Sequence, residues 1–148
     1  MSLIENSLRT GAIASAATTL AASICGKIEE DNGVAPLNAV SHILWGDSAA
    51  KVDEPTLAHT VPGISLNTAA VTGWAAVQEM LLPKSNRRLD TAIFSGVVVS
   101  GLAYLVDYYV VPKRFTPGFE KRLSNRSLFG IYATLAASLA VGSMLGKR

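Results

Sequence analysis

The sequence predicts an all-α integral membrane protein, a bundle of four transmembrane helices with one short interfacial or re-entrant helix. Three observations predict it. The chain has 148 residues with 13 basic and 11 acidic side chains, yet four long apolar segments hold only Glu79 and Asp107 among them. Those segments lie at about 10–26, 61–82, 91–112 and 127–146. Each approaches the ~20 residues that cross a ~30 Å hydrocarbon layer at 1.5 Å per residue. Composition alone would suit a soluble domain, since hydrophobic residues make up 49% of the chain. It is the segregation of charge that points to lipid. A net charge of +2, with bases confined to connectors, gives no stripe for nucleic acid.

The first segment is rich in small residues. Gly11, Ser15, Thr19 and Ser23 recur every four positions and share a helix face that lets a neighbouring backbone approach closely. The run resembles a secretory signal, but its length and its single flanking base favour a retained helix. Cys25 is the only cysteine, so no internal disulfide forms and packing is its expected role. After the acidic 27–33 stretch, Pro36 and Gly46 bracket a helix at about 35–46. It is too short to cross. Leu37, Val40 and Leu44 share one of its faces, and Asn38, His42 and Trp45 another.

In the second segment, Asn67, Trp74 and Gln78 fall on one face and point toward other helices, because an amide facing lipid is unsatisfied. Glu79, near the segment end, is expected to pair with Arg9, Lys84 or a base of the 84–90 loop; with Asn67 and Gln78 it forms a second candidate site. The third segment carries Asp107 on a face shared with Gly96, Ser100 and Tyr104. The hairpin puts Asp107 at the end that receives the 27–60 connector. Asn38, His42, His59, Ser100, Tyr104 and Asp107 are therefore the candidate polar centre, with His42 expected to approach Asp107. Intramembrane ionisable residues mark function more often than chance. The fourth segment repeats the small-residue pattern at Gly130, Thr134, Ser138 and Gly142.

The connector before it is basic. Lys113, Arg114, Lys121, Arg122 and Arg126 are candidate contacts for lipid head groups. Lysines and arginines divide almost evenly between the two sides, so the charge rule sets no orientation. Neither a metal-ligand spacing nor a cofactor-binding or catalytic motif appears, so no metal, cofactor or enzymatic activity is predicted. The expected partners are membrane lipids and a second copy or a larger membrane complex. A non-enzymatic accessory or scaffold role leads. A proton-linked transporter or channel using Asp107 with His42 and His59 is the alternative, and a metal- or haem-binding protein a second one.

Three motifs carry a resemblance: N-A-V-S-H-I-L-W-G at 38–46, the Trp74…Glu79 pair, and V-D-Y-Y-V-V-P-K-R-F-T-P-G-F-E-K-R-L-S at 106–124. Over residues 8–146 the chain resembles an uncharacterised family of small bacterial inner-membrane proteins. The resemblance implies that location and four helices, and it implies no activity.

Overall fold

The computed structural model describes residues 1–146 and is all-helical, with four long helices and short helical turns between them. Helix α1 is Leu3–Glu30, opened by a capping box in which Ser2 and Glu5 satisfy each other's backbone N–H groups. It begins about two turns before the apolar run, because the cap, not hydropathy, sets its start. Two short helices follow, α2 (Ala35–Val40) and α3 (His42–Trp45). Helix α4 is Thr60–Leu81 and α5 is Leu89–Leu105, extended by a π-helical turn over Val106–Val110. Helix α6 is Asn125–Met144, capped by Ser124. Three of the long helices, α1, α5 with its π turn, and α6, are long and apolar enough to cross a membrane. Helix α4 is as long, but Asn67, Gln78 and Glu79 dilute its apolar character.

The single helix expected at 35–46 is broken at Ser41. Its hydroxyl donates to the Asn38 carbonyl at 2.6 Å, and its N–H reaches the same oxygen at 3.0 Å. These bonds tighten the turn and separate α2 from α3. All six residues of α2 are buried. The segment is thus a plug over one end of the bundle, not a helix lying on a surface.

The chain runs α1 toward this capped end, α4 away, α5 toward it and α6 away. Helix α1 packs on α4 and α6, and α5 packs on α6. Helices α4 and α5 meet near their loop, where Gln78 Nε2 donates to the Ala92 carbonyl at 3.2 Å. One core cluster (Ala14, Val71, Ala75, Val99, Ala103, Leu135, Leu139) fills the middle of the bundle. A second, with Leu37, Val40, Phe119 and Leu128, seats the cap.

Small residues set the helix spacing. A Cβ at Gly11 would lie 2.6 Å from Thr72 Oγ1, one at Gly142 3.0 Å from Thr10 Cα, and one at Gly96 2.5 Å from the Ala136 carbonyl. Gly130 meets nothing within 4 Å. The ladders of α1 and α6 are therefore spent largely inside one chain. Gly11→Ala and Gly96→Ala should each lower stability by about 1–3 kcal/mol through overpacking. Gly130→Ala should be neutral or stabilising by up to about 1 kcal/mol from helix propensity. Thermal unfolding in detergent or lipid checks the contrast.

Candidate functional site

The two ends of the bundle each hold a buried polar group of residues, built on different chemistry. At the end bearing the 82–88 loop, Glu79 is held from two sides. Thr10 Oγ1 of α1 donates to its Oε1 at 2.8 Å. Arg87 Nη1 lies 2.6 Å from its Oε2 and donates to the Ser143 carbonyl of α6 at 2.9 Å. The two side chains are 5% and 0% exposed. Oε2 thus has an ionic partner in Arg87 but no directed hydrogen bond. Gln78 is fully buried beside it. The base that Glu79 takes from its own loop is Arg87; Arg9 instead reaches Asn6.

Of the second candidate site, Asn67 lies apart from this group. Its amide donates to Thr18 and Thr19 of α1 at 3.3 and 3.2 Å. Asn67, Gln78 and Glu79 all turn toward other helices and form no single site.

At the capped end the residues of the expected polar centre are spread over four environments. Asn38 is wholly buried; its amide donates to the carbonyls of Val52 and Glu54, and its oxygen accepts from Thr60 Oγ1 at 2.5 Å. That staples the 47–59 loop to the start of α4. His59 sits beside Thr56 Oγ1 at 3.0 Å and against the Trp45 ring, away from the bundle interior. Ser100 donates to the Tyr132 carbonyl at 2.5 Å. The Tyr104 ring meets that of Tyr108 at a tilt and that of Tyr132 edge-on.

His42 and Asp107 lie toward the same end but do not bond to each other. His42 Nε2 is 2.7 Å from the Thr116 carbonyl. A carbonyl only accepts, so Nε2 carries the proton. Asp107 Oδ2 accepts from Tyr132 of α6 at 2.6 Å. The 113–118 turn intervenes. Gly118 has φ +100°, a left-handed conformation that glycine adopts freely, and a Cβ there would strike Ala39 and His42.

Residues that the sequence patterns did not single out connect the two. Thr116 Oγ1 donates to Glu120 Oε1 at 2.5 Å, and the Gly118 N–H to Oε2 at 2.8 Å. Tyr108 OH donates to Glu120 Oε2 at 3.3 Å, and its ring meets that of Tyr132 edge-on at 6.1 Å. Their only signal was weak: tyrosines inside apolar segments, and an acid four residues after Thr116. Asp107 itself lies on the π turn, closed by Val111 N–H to the Val106 carbonyl at 3.0 Å. Asp107, Tyr132, Asn67 and Trp74 line a cavity of about 80 Å³ that Phe115 and Pro117 help to roof.

The basic connector is largely committed within the chain. Arg114 donates to the Ile43 and Leu44 carbonyls, Lys121 pairs with Asp47 at 2.8 Å, and Arg122 with Glu30 and Asp53 at 2.6 and 2.9 Å. The Lys121 hydrogen bond holds the Asp47 carboxyl below its usual range, and the Glu30 hydrogen bond raises Arg122. Asp47 thus contributes stability above its ordinary titration range, and loses it as pH falls through the lowered value. These contacts make Arg114, Lys121 and Arg122 clamps on the cap, which leaves Lys113 and Arg126 as the freer head-group candidates.

Searches against protein-family models, curated proteins and solved structures returned no match.

Arg87→Met should cost about 3–5 kcal/mol, because it strands a buried carboxylate. Arg88→Met, which removes only an exposed pair with Asp90, should cost under about 1 kcal/mol. Adding Glu79→Leu to Arg87→Met should recover part of the loss. Unfolding midpoints of the three variants check this.

Proposed function

We propose that this chain is a multi-pass protein of the bacterial inner membrane in which α4 makes a fourth crossing. It acts as a non-enzymatic accessory or scaffold protein that takes a transmembrane helix of a partner, a second copy or a subunit of a larger complex, against its α5–α6 face. The fourth crossing is supported by length, since 22 residues extend about 33 Å. It is also supported by the inward turn of Asn67, Gln78 and Glu79, which leaves small and apolar residues outside.

One observation carries the docking role. Between α5 and α6 runs an apolar groove of about 900 Å³, open along its length, with Gly101, Ala133, Ala136 and Ala137 among its lining and Ile93 and Phe129 on its rims. A Cβ at Gly101 would meet nothing within 4 Å. In lipid, association depends on close packing more than on hydrophobicity, and a concave floor of small residues is what a neighbouring helix packs into. Ala133, Ala136 and Ala137 put small residues of α6 on the groove floor, where a neighbouring backbone can come close.

A photo-activatable residue placed at Ala137, in the groove, should give a discrete protein–protein adduct in native membranes. The same residue at Phe94, exposed outside the groove, should not. Gly101→Leu, which fills the groove without touching the core, should abolish the adduct. Lipid adducts alone from both positions would contradict the docking role.

A further inference from the structure

Asp107 is a half-buried acid on the π turn that ends α5, and the groups around it are short of positive charge. On its own helix it has Tyr104 and Tyr108. Helix α6 brings Tyr132, which donates to it, and the cap brings Glu120 and, through Thr116, His42. The side chains with polar atoms that α4 brings to the shared cavity are Asn67 and Trp74, and α1 brings Thr18. The bases of the cap are engaged elsewhere: Arg114 on carbonyls, Lys121 on Asp47, Arg122 on Glu30 and Asp53. Among the described residues no base pairs with Asp107 or Glu120. Two carboxyls joined by tyrosines, without a cation, are relieved most simply by a proton.

The cavity gives that proton a destination. Its volume of about 80 Å³ is room for roughly two waters at ~30 Å³ each, with Asp107, Asn67 and Tyr132 as polar partners. The π turn that carries Asp107 is a form of backbone found often at functional sites.

We propose that Asp107 is a proton-binding site loaded from the capped end of the bundle through Glu120, Tyr108 and Tyr132. In the arrangement present, Tyr108 donates to Glu120 and Tyr132 donates to Asp107, so no proton passes between the two phenols. When a proton from water binds Glu120, the carboxyl becomes a donor and Tyr108 its acceptor. The Tyr108 hydroxyl then turns to the Tyr132 oxygen, and three protons shift in concert: from Glu120 to the Tyr108 oxygen, from Tyr108 to the Tyr132 oxygen, and from Tyr132 to Asp107 Oδ2. One proton leaves the water and one appears on Asp107; both phenols remain neutral, and rotation of their hydroxyls restores the starting order. The relay needs no occupant in the docking groove, although Tyr132 also lines that groove.

The test is infrared difference spectroscopy of the whole protein in lipid nanodiscs, titrated across pH and followed after a pH jump. A protonated-carboxyl band should grow as pH falls and vanish in Asp107→Asn. In Tyr132→Phe the band should remain but shift in frequency, because its hydrogen-bond partner is gone; that variant serves if Asp107→Asn does not fold. Glu120→Gln should slow the rise of the band by roughly 10²-fold, the lower end of what a positioned proton-transfer group contributes. A band unchanged in Asp107→Asn or Tyr132→Phe overturns the site. Loading at the wild-type rate in Glu120→Gln overturns the route.

Discussion

The contact between Glu79 and Arg87 joins more of the chain than any other interaction in the bundle. Thr10 brings in α1, Glu79 belongs to α4, Arg87 to the loop that starts α5, and the Ser143 carbonyl to α6. All four long helices therefore converge on one pair of charges. Burial makes the pair costly to assemble and more costly to break, since a lone charge at this depth has no water to fall back on. Such a pair adds little net stability, but it penalises any register in which the four ends fail to meet. The close approaches of Gly11 to Thr72 and of Gly142 to Thr10 lie within two turns of it. They are possible only in that register.

The opposite end is organised by a different device. There the connectors fold inward, and Asn38, His42 and Thr116 spend their polar atoms on backbone carbonyls and hydroxyls. Arg122 clamps the outside of the same cap to the end of α1. Between the rigid charged end and the capped end, α4 and α5 are free to diverge, and the cavity beside Asp107 lies where they do. The fold thus sets a half-buried acid and a small, mostly apolar cavity next to its most elaborate hydrogen-bond network.

The long helices were legible in the sequence because charge segregation and length are local properties. So was the inward turn of Asn67, Gln78 and Glu79, since helical spacing fixes a face and lipid excludes an unsatisfied amide. The break at Ser41 was not, because it depends on which of two partners the Asn38 carbonyl takes. Nor was the link between His42 and Asp107. Pattern placed both at one end, but Thr116, Glu120, Tyr108 and Tyr132 come from separate connectors and helices, and only their assembly shows which residues stand between the two. The basic connector reads as a lipid contact in sequence because its acidic partners, Glu30, Asp47 and Asp53, lie more than sixty positions earlier.

The central proposal is that α4, the one long helix whose composition alone does not mark it as a span, lodges across the membrane because its polar side is taken up by the bundle. Spin labels at Ser65, Ala69, Gly73 and Met80, all on its exposed side, test this through their accessibility to oxygen and to a water-soluble nickel complex. The account predicts that oxygen accessibility peaks at Ala69 and Gly73, while nickel accessibility rises only toward Ser65 and Met80. Uniform accessibility to nickel along the whole series would place α4 in water, and would contradict the account.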